Sequence, residues 1–317
     1  MSRRAPLARV RGIIGVLEPI LSRFLSAIHS RPRWGWVGLL AYAAAVTFPH
    51  ENVQWLMNQI AIRITHTRLY EVSGAIGAVE VIVLTLIVVR RLRTQEPRAI
   101  MAVFWILTLA LIGLARGAFT ANNLELVHYP QYIPEGMALM ALTLSPAESL
   151  AWVVILGGLD EAYQYAVLDW WRAAPYDFND VYMDLLGGAA GVLLAMAYLR
   201  CTRRAAAAPT SPPLWKRPGI VAILSILGVG IVLWASGFML LFQDKSDTRH
   251  WFSLSRFRAP TFWFLVETNG PEKYHTLSPL EGPILILATI GLYALLDRRL
   301  RFQVEAVNSP MAAPPYR

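Results

Sequence analysis

The sequence predicts an all-α, polytopic transmembrane helical bundle, and three observations carry that expectation. Hydrophobic residues make up 56% of the 317 and charged residues 16%, against about 25% charged in an ordinary soluble domain. Mean hydropathy is +0.43. The apolar residues fall in blocks, several of them long enough to cross a hydrocarbon core of roughly 30 Å. None shows the strict period-2 alternation of barrel strands, so helices must satisfy the backbone.

Residues 1–33 have no signal-peptide layout. Ile13, Leu17, Ile20, Leu21, Phe24, Leu25 and Ile28 recur at helical spacing among Arg9, Arg11 and Arg23, which predicts a basic amphipathic helix on the cytoplasmic surface. Spans are expected at 34–48, 73–89, 99–115, 132–145, 149–167, 181–199, 218–242 and 283–297. With the N-terminus inside, the inner segments hold 20 of the 29 Lys and Arg residues and the outer segments 9. Removing the short fourth span would put the basic group at 200–217 outside, so the positive-inside rule favours eight spans with both termini cytoplasmic. The expected setting is the cell inner (cytoplasmic) membrane.

The net charge of +8 does not point to nucleic acid, because the arginines sit in short runs beside apolar blocks, as topology determinants do. Trp34, Trp36, Trp170, Trp171 and Trp215 stand at span ends, as an interfacial belt would. The single cysteine, Cys201, allows no internal disulfide and suggests no structural zinc site.

Four regions follow: the segment 1–33, a six-span domain at 34–199, a linker at 200–217, and a two-span region at 218–317 with a long outer loop at 243–282. Val53, Leu56, Met57, Ile60 and Ile64 predict a helix lying on the outer interface. The linker is Ala- and Pro-rich, with Pro209, Pro212 and Pro213. The outer loop carries Trp251, Phe252, Phe257, Phe262, Trp263 and Phe264, read as interfacial packing ahead of contact with a partner. The Pro-rich tail from Ser309 is expected to be disordered.

The chemistry concentrates in spans five and six. Gly157, Asp160, Glu161 and Gln164 follow i, i+3, i+4, i+7 and share a helical face. Asp180, Asp184, Gly187, Gly188 and Gly191 do the same on the next helix, where the glycines allow another helix to approach closely. A short loop makes the two helices antiparallel neighbours, so both polar faces sit in the outer half of the membrane. An ionised carboxylate near a helix centre costs roughly 2.5–3.5 kcal/mol and a Leu returns only about 0.5. These acids must therefore face a wet cavity, share protons, bind a cation or pair with a base. Arg172 and His128 are the bases available. The bland alternative is a salt-bridge network that fixes helix packing. His128 alone reads as an interfacial hydrogen bonder, and Asp169 and Asp177 as solvated loop charges.

At these residues the chain resembles the VanZ-like family of bacterial membrane proteins. The pieces are His128–Tyr129 with Tyr132, the segment Gly158–Gln164, Arg172, and Asp180 followed by Gly187 and Gly191, together covering about 120–197. Asp184 stands where the family usually has Asn, and Pro130 interrupts the histidine piece. The resemblance implies a cell-envelope setting linked to glycopeptide antibiotic resistance, and it supplies no reaction.

The leading expectation is a pocket in which Asp160, Glu161, Asp180 and Asp184 act as acid/base or cation-binding groups. Gln164, His128 and Tyr132 would contact a ligand, and Arg172 would hold a phosphate or carboxylate. Membrane lipids and a lipid-linked envelope precursor are the expected partners. No metal is predicted; were one present, this donor set favours Mg²⁺ or Ca²⁺ over zinc. A proton- or cation-coupled transporter and a non-catalytic membrane assembly protein are the alternatives.

Overall fold

The structure is a computed structural model that describes residues 5–93, 97–120, 123–169, 176–203, 212–243, 252–256, 261–266 and 272–303. Side chains at 5–14, 123, 200–203, 264–266, 272 and 301–303 are outside that description. Arg172, the linker residues 204–211, the tail from Ser309 and part of the aromatic outer loop also lie outside the described residues.

The described residues form ten α-helices: α1 (Ala5–Ser30), α2 (Pro32–Thr47), α3 (His50–Ile64), α4 (His66–Leu92), α5 (Arg98–Ala118), α6 (His128–Thr143), α7 (Pro146–Tyr163), α8 (Phe178–Tyr198), α9 (Pro218–Ala235) and α10 (Glu281–Arg299). Strands are marginal. β1 (Arg200–Arg203) pairs antiparallel with β6 (Leu300–Gln303), β2 (Met239–Leu240) parallel with β3 (Phe252–Ser253), and β4 (Phe264–Val266) antiparallel with β5 (Glu272–Tyr274).

Helix ends follow local chemistry. Leu144, in the left-handed region at φ 52°, closes α6. Ser145 then caps α7 by accepting the Glu148 amide at 3.3 Å, with Pro146 in the first turn. Asp177 caps α8 through the Asn179 amide at 2.9 Å.

Contacts at the two ends show that the helices alternate in direction. At one end, Glu18 of α1 pairs with Arg90 and Arg91 of α4 at 3.3 and 3.4 Å. His29 meets the Ala141 carbonyl of α6 at 3.0 Å, and the Arg91 guanidinium lies over the Tyr198 ring of α8. The starts of α7 and α9 meet the last turn of α10 at this same end: Asp297 accepts from the Ala147 amide at 2.9 Å and from Arg217 at 3.1 Å, with Glu148 at 3.8 Å from Arg217. At the other end, Asn179 donates to the Phe119 and His275 carbonyls, both at 2.9 Å, and accepts from the Leu277 amide at 2.8 Å. Phe48, just after α2, packs edge-on against Tyr163, in the last turn of α7.

Among the described residues four helices, α4, α5, α8 and α9, are long and apolar enough to cross a bilayer. α2 and α6 have 16 residues each, and α7 and α10 carry several charges. Outward-facing apolar residues of α4 (Ile76, Val79, Ile82), α5 (Val103, Ile106, Leu114) and α9 (Ile226, Val229, Val232) are 56–67% exposed. Belts of that extent suit lipid, not water, so the bundle is that of a membrane protein.

α8 is the axis of the core, buried along nearly its whole length, with α6 as its most extensively packed neighbour and α7 next. Glycine makes the contact possible. A Cβ on Gly187 would stand 2.6 Å from the Tyr129 carbonyl oxygen, and one on Gly191 would collide with the Ile133 carbonyl. A Cβ on Gly136 of α6 would likewise strike the Gly188 carbonyl. Gly188 itself faces Val153 of α7, whose methyls would lie 2.7 Å from an added Cβ. At Gly136, Gly187 and Gly191 backbone is met by backbone, so no side-chain rotation can relieve a substitution there.

Gly191→Leu is therefore expected to cost at least about 3 kcal/mol and to abolish the monodisperse peak of the detergent-solubilised protein in gel filtration. Gly113→Leu, where nothing lies within 4 Å of an added Cβ, is expected to elute as wild type. Equal behaviour of the two variants would remove the α6–α8 backbone contact as the determinant of packing.

Candidate functional site

The close approach of α6 and α8 decides what faces what. His128 opens α6 and is 7% exposed; its Nδ1 lies 2.9 Å from Asp184 Oδ1 and its Nε2 3.6 Å from Asp180 Oδ2. These two acids are one helical turn apart on α8, so the imidazole bridges them. An imidazole with one nitrogen fixed by a buried carboxylate has its ring orientation set, and its other nitrogen is left to meet a second group. His128 is thus a hydrogen bonder at the start of α6, as its position suggests, but buried and flanked by two acids.

α7 supplies the opposite wall. Asp160 and Glu161 are each 5% exposed. The Tyr132 hydroxyl donates to Asp160 Oδ2 at 3.4 Å, and the Gln164 amide approaches the same oxygen at 3.5 Å. Glu161 Oε1 accepts the Asp177 backbone amide at 3.0 Å, which ties the end of α7 to the start of α8. Gly157 lies beneath Asp184: a Cβ there would come within 2.7 Å of Asp184 Oδ2. The structure thus brings together His128, Tyr132, Asp160, Glu161, Gln164, Asp180 and Asp184, with Gly157, Gly187, Gly188 and Gly191 at the surrounding helix contacts. Arg172, expected to hold an anionic group, lies outside the described residues.

Three features were absent from the sequence reading. Glu135 is 2% exposed in the middle of α6, close enough to Asp160 and Asp184 to feel both charges. His128, Tyr132 and Glu135 follow i, i+4, i+7, so the same stripe count used on α7 and α8 would have found it. His50, at the start of α3, feels Asp160, His128 and Asp180, and burial lowers its pKa from the ordinary value. No periodicity links a residue outside the bundle to this site. The third feature is local: α7 does not end as an α-helix but runs into a π-helical turn at Gln164–Leu168, with the Asp169 amide bonded to the Gln164 carbonyl at 2.8 Å. Such turns recur at functional sites.

The π turn carries a roof. The Tyr165 hydroxyl donates to the Ser253 carbonyl. Arg256 lies 4.1 Å from the Tyr165 ring centre and donates to the Asp169 carbonyl at 2.8 Å. The Tyr176 amide donates to the Leu254 carbonyl at 2.9 Å. Phe252 packs edge-on against Tyr165, and Phe262 stacks on His275 at 4.0 Å. The described part of the loop at 243–282 is therefore folded against this end of the site, with several of its aromatic residues in intramolecular contacts.

Asp177 is not a free loop charge. It caps α8, and burial, followed by repulsion from Asp180, raises its pKa to about 7. Two further acid oxygens, Glu135 Oε1 and Asp160 Oδ1, are buried without a hydrogen-bond partner. Among the described residues no group of three His, Cys, Asp or Glu side chains is arranged to hold a metal ion. The arrangement offers acceptors and one oriented base to a ligand that brings hydrogen-bond donors or positive charge. Comparison with protein-family models, with curated proteins and with solved structures finds no match.

A raised acid pKa means that the folded state keeps a proton which the unfolded chain releases near pH 4. Stability contributed by Asp177 is therefore expected to be full below about pH 4 and to fall as pH rises to about 7. Asp177→Asn retains an acceptor for the cap and removes the titration. Thermal melts between pH 4 and 8 should show a flatter profile for the variant and a higher midpoint at pH 8. An unchanged slope would remove Asp177 as a source of the pH dependence.

Proposed function

We propose that this chain is a multi-pass protein of the inner membrane, related to the VanZ-like family. In this reading α2, α4, α5, α6, α7, α8, α9 and α10 are its eight spans, and both termini are cytoplasmic. Its acidic pocket binds, from the outer side, the polar head of an envelope precursor or lipid that carries an amine or other hydrogen-bond donors. The observation that carries the reading is the pair of buried acid oxygens without partners, Glu135 Oε1 and Asp160 Oδ1. Glu135 feels the charges of Asp160 and Asp184, and Asp184 in turn holds the imidazole of His128. A purely structural network would satisfy its own acceptors, since an unsatisfied buried polar group costs roughly 1–3 kcal/mol. A donor from a ligand removes that cost on binding. His128, with Asp184 on one nitrogen, is the group placed to exchange a proton with such a ligand. A connection with glycopeptide resistance would follow if the bound head belongs to a cell-wall precursor.

A proton- or cation-coupled transporter is the second reading. It is favoured by Glu135, which carries the line of acids to the middle of α6, and it requires ion movement across sealed vesicles.

The test uses the purified full chain in detergent. Wild type, Glu135→Gln and Asp160→Asn are melted with and without phosphatidylethanolamine, a lipid-linked cell-wall precursor, Mg²⁺ and Ca²⁺. The expected result is that an amine-bearing lipid or precursor raises the wild-type midpoint by several degrees. Both variants should lose that shift while melting at or above the wild-type temperature without ligand, because each removes one acid from a crowded cluster. Early melting of both variants with no ligand response in wild type would instead assign the cluster to packing, as in an assembly protein.

A further inference from the structure

Against another face of α6, away from the acidic cluster, there is a cavity of about 630 Å³. Its walls are α4 (Gly77, Ala78, Val81 and Leu84) and α5 (Leu109, Ile112 and Gly113), and Ile133 and Ala190 form its floor. The two wall helices are tied where Trp105 Nε1 donates to Thr85 Oγ1 at 3.3 Å. Towards the Asn179 end of the bundle, glycine leaves the space between them open. A Cβ on Gly77 would touch only Leu126, at 3.8 Å, and one on Gly113 would touch nothing within 4 Å. From Trp105 to Arg116 the α5 wall measures about 16 Å at 1.5 Å per residue, close to the hydrocarbon depth of one leaflet, roughly 15 Å.

The polar groups lie at defined levels. Arg116, in the last turn of α5, stands at the mouth together with Tyr129. Tyr129 is 8% exposed, lines the cavity, and its hydroxyl has no hydrogen-bond partner. Tyr129 and Arg116 are close enough to interact electrostatically. Glu80, halfway along α4, is the one acid on the wall among the described residues. A long apolar slot with a guanidinium and an unused phenol at one end matches an amphiphile whose anionic head sits above a hydrocarbon chain.

We propose that the α4–α5 cavity is a lateral binding site for one hydrocarbon chain of an anionic phospholipid, with the lipid phosphate held by Arg116 and the Tyr129 hydroxyl. The site is separate from the acidic pocket and depends on the proposed topology only for its assignment to the outer leaflet. The Tyr129 hydroxyl gains the partner it lacks, and the chain fills space that the protein leaves open.

The test is lipid retention by the full-length protein, measured by native mass spectrometry and by stabilisation with added lipid. Phosphatidylglycerol is compared with phosphatidylcholine and with inorganic phosphate. Wild type is expected to hold about one phosphatidylglycerol and to be stabilised by it, with phosphatidylcholine about tenfold weaker and inorganic phosphate without effect. Gly113→Leu and Gly77→Leu fill the slot from positions with room for a side chain, and both should abolish the bound lipid while folding normally. Arg116→Gln should reduce the preference for phosphatidylglycerol about tenfold. Tyr129→Phe, which removes no existing hydrogen bond, should weaken retention without lowering the lipid-free melting point. Glu80→Leu should retain the lipid or hold it more tightly. Retention unchanged in both glycine variants, equal binding of the two phospholipids, or an equal response to inorganic phosphate would overturn the proposal. Glu135→Gln and Asp160→Asn should leave this binding intact, which separates its failure from that of the acidic pocket.

Discussion

The backbone contact between α6 and α8 is the constraint on which the rest of the molecule depends. Gly136, Gly187 and Gly191 let two helical backbones touch where ordinary side chains would hold them 8–10 Å apart at their axes. At that separation a histidine on one helix reaches two acids, one turn apart, on the other. Moving the helices apart by the thickness of a methyl group would break the His128–Asp184 bond and leave Asp184 buried with no base. The glycines and the charged cluster are thus one device: close packing supplies the geometry, and the imidazole offsets part of the cost of placing carboxylates among hydrocarbon.

That cost also explains the dense local wiring around the cluster. Glu161 is held by the Asp177 amide, Asp160 by Tyr132 and Gln164, and Asp177 by the first turn of α8. Each such bond compensates a desolvated oxygen. The loop segments at 252–256 and 275–277 close over the same end through Tyr165, Tyr176 and Asn179, which restricts the access of water to the acids from above. Among the described residues of the cluster, Glu135 Oε1 and Asp160 Oδ1 escape this accounting, and they lie on facing walls.

Much of this was legible in the sequence because helical periodicity is strong where a face must be buried. The alternation of helices, the polar faces of α7 and α8, and the glycine stripe all follow from spacing and from the charge asymmetry of the loops. Glu135 follows from the same count, but a lone acid in a short apolar segment with two prolines does not stand out until the stripe through His128 and Tyr132 is counted. His50 was not readable: it reaches the site only through the tertiary placement of α3. The π turn leaves no mark of its own, since it differs from an α-helix by one residue of register. The tie between Arg217, Asp297 and Ala147 spans 150 residues and depends on which helix ends meet, a matter of assembly that local pattern does not encode.

That last tie bears on how the protein is made. Asp297 lies in the final turn of α10, so its carboxylate leaves the ribosome after α1 to α9 have been synthesised. Until then the first turn of α7 lacks an acceptor for its Ala147 amide, and Arg217 has Glu148 as its nearest acid at 3.8 Å. At the other end Asn179 must likewise wait for His275 and Leu277. Both ends of the central helices are therefore completed by residues 275–297. A polypeptide interrupted before α10 would leave the Ala147 amide without its carboxylate acceptor and Arg217 without its nearest acid, so that end of the bundle closes only when α10 is in place.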